Sequence, residues 1–138
     1  MEAWFNVLIA EDNPMDVNLL KFALVRAKLD WDITVVNNGE KAMDVLNKSR
    51  EYREIKNPDM ILMDMKLPRV SGSELISYMQ SKPEFRNIPV IVITSSDAQA
   101  DRSCAAQSGA KAMITKPMDM AGYDEMALKI ASIAKELK

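Results

Sequence analysis

Residues Met60–Asp64 have the sequence MILMD, in which a carboxylate directly follows four apolar residues. A short and strongly apolar run of this kind is typical of a parallel β-strand that is buried on both faces. Three further runs have the same form, and each is followed by or ends beside a polar residue. These runs are Val7–Ala10, Val90–Ile93 and Ala112–Thr115.

The polar residues at the ends of these runs are expected to meet in space. In an open α/β sheet, ligands bind in the crevice outside the carboxyl ends of the strands. Carboxylates there suit a divalent cation, while a hydroxyl and an ammonium suit phosphoryl oxygens. The residues predicted to converge at this edge are Asp12, Asp64, Thr94 and Lys116.

The whole chain alternates predicted strands and helices five times. The predicted strands are Trp4–Ala10, Ile33–Val36, Asp59–Asp64, Pro89–Thr94 and Lys111–Thr115. This order predicts a parallel sheet with helices on both faces and right-handed crossovers.

Local signals place the predicted helices between these strands. Asn13 and Pro14 suit the N-cap and first position of a helix, and Ser71 with Glu74 suits a capping box. A second helix is predicted near Glu40–Asn47. Ser96 and Gln99 suit a capping box that opens a fourth helix, and Gly109 suits the C′ position just after it. The fifth helix has an apolar face made of Met126, Ile130, Ile133 and Leu137. The polar stretch Lys48–Asn57 is either an extension of the second helix or a surface excursion.

Composition excludes several classes of protein. The chain has 138 residues, which suit one domain, and its net charge of -2 argues against non-specific binding of nucleic acid. It has no apolar stretch of membrane-spanning length. The single cysteine, Cys104, cannot form an internal disulfide, which fits the cytoplasm. Histidine is absent, so Ser-His and Cys-His catalytic sites are excluded and the chain cannot carry a phosphohistidine.

Each candidate site residue also has an ordinary explanation when it is taken alone. Glu11 and Asp12 could be solvated loop acids near a helix N-terminus, where the macrodipole favours negative charge. Thr94 could be a strand-end threonine and Lys116 a surface lysine. Asp64 is more informative, because an unpaired carboxylate behind a buried strand would be costly. Carboxylates brought together need a cation, and an all-oxygen site favours Mg²⁺. Asp64 is the better candidate nucleophile for a phosphoryl group, because its predicted strand continues without polar interruption up to that residue.

Four motifs together resemble a response-regulator receiver domain. They are LIAED at residues 8–12, MILMDMKLP at 60–68, VIVITS at 90–95, and the segment from Gly109-Ala110 to Lys116-Pro117. The resemblance covers essentially the whole chain. It implies a flavodoxin-like (βα)5 fold with strand order 2-1-3-4-5. Because the receiver accounts for residues 1–138, including the last helix, we expect a single receiver domain with no output domain.

The resemblance also implies roles for individual residues. Asp64 would be the phosphoacceptor, and Mg²⁺ would be held by Glu11, Asp12, Asp64 and the backbone carbonyl of Lys66. Thr94 would supply the switch hydroxyl and Lys116 would bind the phosphoryl group, with the Lys116–Pro117 peptide in the cis form. The protein would then be a signalling protein with self-phosphorylation and slow autodephosphorylation, and not an enzyme in the usual sense.

Two features depart from the usual receiver pattern. Receivers commonly have Tyr or Phe three residues before the site lysine, where this chain has Met113. The interval Glu40–Asp59 is also longer than in minimal receivers. Together with the sequence NPMD at 13–16, this interval is similar to stand-alone receivers that serve phytochrome-type photoreceptor kinases.

These observations favour a stand-alone response regulator that accepts a phosphoryl group from a histidine kinase or a phosphotransfer protein. It would signal through the face formed by the fourth predicted helix, the fifth strand and the fifth helix, which is also the candidate surface for a homodimer. Neither nucleic acid nor a membrane is expected as a partner. The alternatives are a phosphorylation-independent interaction module with the receiver fold, and a metal-dependent phosphatase. The phosphatase is disfavoured, because Lys66 stands where a second acid would be expected.

Overall fold

A five-stranded parallel sheet positions all the candidate site residues. The computed structural model describes residues 5–94 and 109–137 of the chain. The strand order is β2-β1-β3-β4-β5 and every pair is parallel, which confirms the predicted topology. The strands are β1 (Asn6–Ala10), β2 (Asp32–Val36), β3 (Met60–Met63), β4 (Val90–Thr94) and β5 (Ala112–Thr115). The described helices are α1 (Pro14–Arg26), α2 (Gly39–Leu46), a 3₁₀ turn (Arg50–Tyr52), α3 (Gly72–Gln80) and α4 (Met120–Leu137).

The three central strands are buried on both faces. Side chains on a strand alternate between faces, and in β3 this alternation assigns Leu62 to one core and Ile61 to the other. The first core lies between the sheet and helices α1 and α4, and the second lies between the sheet and helices α2 and α3. The continuous apolar runs of the sequence are therefore explained by two buried faces.

Helix starts follow the predicted caps. The Asn13 side chain accepts hydrogen bonds from the backbone N–H groups of Met15 and Asp16, at 3.0 and 3.5 Å. The Ser71 hydroxyl accepts from the Glu74 N–H at 3.2 Å and donates to the Glu74 carboxylate at 3.2 Å. Both signals therefore mark true helix starts, and α1 begins at the carboxyl edge of the sheet beside the candidate site.

Several predicted boundaries were displaced by a residue. Strand β3 is one residue shorter than predicted at each end. Asp59 still binds β1, because its N–H donates to the Asn6 carbonyl at 2.7 Å and its carboxylate accepts the Asn6 N–H at 2.7 Å. Strand β2 instead begins one residue early, at Asp32. Helix α2 stops at Leu46, so the stretch Lys48–Asn57 is a surface excursion containing the 3₁₀ turn.

The last helix is amphipathic, as predicted, except at its end. Met126 and Ile130 are buried, and Ile133 packs partly against the core. The prediction for Leu137 was wrong: it is 37% exposed, and Ala134 is the last described residue of the helix that belongs to the core. Within the described ranges, no helix is long and apolar enough to span a lipid bilayer.

Some sequence predictions fall outside the described residues. These are the fourth helix with its Ser96 and Gln99 cap, and Trp4 at the start of the first strand. Gly109 is described and has φ of 98°, a left-handed backbone conformation that suits the residue after a helix. Trp31 is buried and packs against Phe5 with ring centroids 5.1 Å apart, as expected for a core tryptophan.

Truncating a valine should affect stability only where both faces of the sheet are covered. Val92 in β4 is fully buried, whereas Val35 in the edge strand β2 is 38% exposed. We expect Val92→Ala to lower the free energy of unfolding by about 2–3 kcal/mol and Val35→Ala by less than about 1 kcal/mol. Urea unfolding of the two variants measures this difference. Equal losses would contradict the assignment of β2 as a half-exposed edge strand.

Candidate functional site

The carboxyl edge of the sheet carries the predicted site residues. Glu11 and Asp64 directly follow β1 and β3, which are neighbours in the sheet. Thr94 is the last residue of β4 and is buried, and Lys116 directly follows β5. Backbone hydrogen bonds fix these ends, since the Lys116 N–H donates to the Thr94 carbonyl at 2.7 Å and the Asp64 N–H donates to the Ala10 carbonyl at 3.0 Å. The parallel ladder thus delivers all four residues to one crevice.

The Lys116 ammonium lies among three described carboxylates. Its Nζ atom is 2.7 Å from Glu11 Oε1, 2.8 Å from Asp16 Oδ2 and 3.2 Å from Asp64 Oδ2. The lysine side chain is only 12% exposed. These are charge-assisted hydrogen bonds in a region of low solvent access, where they are stronger than at the surface.

Asp16 was not identified as a site residue from the sequence. It lies in the first turn of α1 and reaches Lys116 across a sequence separation of 100 residues. One signal could have found it: Asp16 lies one helical turn before Leu20 and two before Leu24, on the apolar stripe of α1. A carboxylate on a buried helix face needs a partner, and Lys116 is that partner here.

Glu11, Asp12 and Asp64 form an acidic group that could hold a metal ion. One carboxylate oxygen from each residue lies within 4.8 Å of the others. Glu11 and Asp64 are buried, whereas Asp12 is exposed and faces solvent at the rim. Carboxylate oxygens are the ligands preferred by hard divalent cations, so the donor set fits Mg²⁺ or a similar ion.

The electrostatics of the site reflect this crowding. Burial raises the pKa of Glu11, and the hydrogen bond from Lys116 offsets only part of that increase. Burial alone would lower the pKa of Lys116, but its hydrogen bonds to Asp16 and Glu11 outweigh burial and raise the pKa above its usual value. Lys116 is therefore a permanent cation at neutral pH.

Backbone groups orient two of the carboxylates. The Lys66 N–H donates to Asp64 Oδ1 at 2.9 Å, and the Asn13 N–H donates to Glu11 Oε2 at 3.1 Å. Gly72 packs against the loop that follows Asp64, and a Cβ atom there would lie 2.7 Å from the Met65 Cα atom. The loop geometry thus depends on a glycine, while the role of the Lys66 carbonyl as a metal ligand stays a prediction.

The prediction of a cis peptide was wrong. The Lys116–Pro117 bond is trans, which is the lower-energy isomer of most X-Pro bonds. The lysine nevertheless reaches Asp64 without the cis turn. Met113 lies in β5 opposite Val92, half-buried against the core on the side of α2 and α3.

Comparison with known proteins identifies the family of this chain. Residues 7–127 match the model of the response regulator receiver domain. The chain belongs to the response regulator receiver family. This match confirms the resemblance that the four sequence motifs indicated, and the observed strand order is the one that the resemblance implied.

Individual relatives are similar over most of the receiver. The polar-differentiation response regulator DivK of Brucella anthropi is 35% identical over 120 residues, which are 87% of this chain and 90% of DivK. The phosphorylated cyanobacterial phytochrome response regulator RcpA is 28% identical with a TM-score of 0.85, covering 91% of this chain and 90% of RcpA. The Mn²⁺-bound form of response regulator Rcp1 is 26% identical with a TM-score of 0.84, covering 93% and 92% of the two chains. Rcp1 comes from Synechocystis.

Removing the ammonium from the receiver should strengthen its binding of divalent cations. Lys116 contacts Glu11 and Asp64, both members of the acidic group, so it competes with a cation for their charge. We expect Lys116→Met to lower the dissociation constant for Mg²⁺ by about five- to tenfold, a gain of about 1 kcal/mol.

Titration calorimetry checks this value, with Lys129→Met as the control because Lys129 is exposed on α4. Both variants lose one positive charge, but only the first loses it from the crevice. An affinity that is unchanged or weaker in Lys116→Met would contradict the proposed competition.

Proposed function

We propose that this receiver accepts a phosphoryl group on Asp64 from a histidine kinase or a phosphotransfer protein. The observation that supports it most directly is the Lys116 Nζ atom at 3.2 Å from Asp64 Oδ2, beside the acidic group of Glu11, Asp12 and Asp64. A buried carboxylate with an adjacent ammonium and a candidate metal site suits attack on phosphorus. Because none of the 138 residues is a histidine, the donor phosphohistidine lies outside this sequence.

The transfer exchanges one bond to phosphorus for another. An Asp64 oxygen forms a bond to phosphorus while the P–N bond of the donor phosphohistidine breaks, and the electron pair returns to the imidazole nitrogen. The Lys66 N–H holds Asp64 Oδ1 at 2.9 Å, which leaves Oδ2 on the side of Lys116. Lys116 then stabilises a phosphoryl oxygen, and Thr94 at the end of β4 offers its hydroxyl to another.

We assign Mg²⁺ as the cation of this reaction, held by Glu11, Asp12, Asp64 and the Lys66 carbonyl. When bound, the ion neutralises negative charge on the carboxylates and on the phosphoryl oxygens. Neutralisation is needed because Glu11 and Asp64 are each less than a tenth exposed to solvent and the incoming phosphoryl group is itself negative. The metal seen in a similar protein is Mn²⁺, bound to Rcp1.

The output of the switch involves the strand β5 and the helix α4. Thr94 and Met113 are the proposed switch residues, one at the end of β4 and the other in the neighbouring strand. A thioether side chain has more rotatable bonds than an aromatic ring and adopts different arrangements with little strain. We therefore propose that activation changes the conformation of the face formed by β5 and α4, the fifth predicted helix, less than it would if residue 113 were aromatic.

The kinase partner is proposed to be of the phytochrome type. Structures similar to this receiver include the phytochrome response regulator RcpA and the bacteriophytochrome response regulator RtBRR, at 28% and 34% identity. The segment NPMD at residues 13–16 is the local feature behind the same assignment. We also propose that the protein acts in the cytoplasm. A homodimer would use the face that includes β5 and α4.

Phosphorylation at Asp64 is tested with a small acyl phosphate and Mg²⁺. We expect the wild type to gain a single adduct in intact-mass measurement and Asp64→Asn to gain none, because the amide is a poor nucleophile. Asp30→Asn is the control, since Asp30 is exposed in the loop between α1 and β2.

Each outcome has a distinct meaning. An adduct of equal yield on Asp64→Asn would exclude Asp64 as the acceptor. The absence of any adduct on the wild type would favour the alternative function, a phosphorylation-independent interaction module. Continuous release of phosphate at a rate typical of enzymes would instead favour a phosphatase.

The switch is tested by replacing the methionine with an aromatic residue. Met113→Tyr should enlarge the difference between free and activated protein, because a ring has fewer ways to fit both arrangements. The measurement is the amide NMR shift of β5 and α4 with and without beryllofluoride as the phosphoryl mimic. Met118→Tyr is the matched control, since Met118 is fully exposed. Identical responses of Met113→Tyr and the wild type would make Met113 an ordinary core residue.

A further inference from the structure

Asp16 makes a contact with the site lysine that the proposed transfer does not use. Its Oδ2 atom lies 2.8 Å from Lys116 Nζ, closer than the Asp64 oxygen at 3.2 Å. The Asp16 side chain is 23% exposed and the lysine side chain 12%, so the pair is largely shielded from water. Shielded pairs with good geometry contribute more than exposed ion pairs.

The three carboxylates around the ammonium differ in what else they can bind. An ammonium has three N–H donors, and Glu11, Asp16 and Asp64 supply three acceptors. Glu11 and Asp64 belong to the acidic group that could hold a metal, and Asp64 is the proposed phosphoacceptor. Asp16 is not a member of that group, so its contact with Lys116 can persist when the other two carboxylates are engaged elsewhere.

The position of Asp16 is itself well defined. Its backbone lies in the first turn of α1, where the Asn13 side chain accepts the Asp16 N–H. Its other oxygen, Oδ1, lies 3.5 Å from the hydroxyl of Tyr123, a buried residue of α4. Burial raises the pKa of Tyr123, so the hydroxyl stays protonated and donates to the carboxylate. Two helices thus orient Asp16 towards the lysine.

We infer that Asp16 is a positioning residue for phosphoryl transfer, and that it holds the Lys116 ammonium over the crevice while the metal and the phosphoryl group engage Glu11 and Asp64. This inference rests on the proposed function of Asp64. Without Asp16, the flexible four-carbon side chain of Lys116 is left with Glu11 and Asp64 as its carboxylate partners. The metal and the phosphoryl group engage both of these during the reaction. The ammonium then has to be ordered during the reaction, which slows the transfer.

The test is a double-mutant cycle of Asp16 and Lys116 with a small acyl phosphate as donor and Mg²⁺ present. We expect Asp16→Ala to slow phosphorylation of the wild-type background by about tenfold, as for the loss of one hydrogen bond to a charged group. Asp16→Asn keeps one oxygen acceptor and should slow it less. In the Lys116→Ala background, Asp16→Ala should cause no further slowing, because the two residues act as a unit.

Two controls separate positioning from general damage. The dissociation constant for Mg²⁺ should change by less than about twofold in Asp16→Asn, since Asp16 is outside the acidic group. Asp124→Asn removes the same charge from α4 near Arg26, away from the crevice, and should leave the rate unchanged. Urea unfolding identifies any variant that has lost its fold, and the Asn variant serves if the Ala variant does not fold.

A spectroscopic measurement tests the anchoring without any phosphoryl donor. In protein labelled with ¹⁵N in lysine side chains, an ordered Lys116 ammonium should give a resolved signal that Asp16→Asn weakens or shifts and Asp124→Asn does not. Equal slowing by Asp16→Ala in both backgrounds, or an unaltered ammonium signal, would overturn the inference. A wild type that accepts no phosphoryl group would reject the proposed function and the kinetic role of Asp16 with it, while the ammonium signal still decides whether Asp16 anchors Lys116.

Discussion

The Lys116 ammonium is the interaction on which the crevice depends. It joins carboxylates from the end of β1, the first turn of α1 and the end of β3, at 2.7, 2.8 and 3.2 Å. Three buried or half-buried carboxylates so close together would repel each other without a cation. Removing the lysine would therefore leave uncompensated negative charge in a region of low solvent access. The cluster holds together because one permanent cation offsets part of that repulsion.

The order of the strands explains why a lysine performs this task. Strand β5 is separated from β3 by β4, which places their backbones about 10 Å apart. Only a long side chain at the end of β5 can reach Asp64, and the short side chain of Thr94 lies on the strand between them. The crevice also keeps a surplus of negative charge among its described residues, since Asp12 adds a fourth carboxylate. That surplus favours a divalent cation, which in the proposed transfer would offset the charge of the incoming phosphoryl group.

Local chemistry in the sequence was sufficient for much of the architecture. The apolar runs of β1, β3 and β4 needed both faces covered, and Asn13 and Ser71 marked helix starts that the structure confirms. These signals are local, because strand burial and capping depend on residues a few positions apart. Exact boundaries did not follow from local signals, as at Asp59, which lies just outside β3 and whose carboxylate accepts a hydrogen bond from the N–H of Asn6, 53 positions away.

The sequence by itself determined the receiver family, the parallel α/β fold and the set of polar residues at the strand ends. Only the tertiary structure decided which of these residues share partners. It brought Asp16 of α1 onto Lys116, a residue 100 positions away, and it showed that the Lys116–Pro117 peptide reaches the site in the trans form. The physical reason is that periodicity and propensity act within one element, whereas an ion pair depends on where two elements meet. The packing of α1 and α4 on one face of the sheet therefore decided that Asp16 contacts Lys116, which the motifs alone could not show.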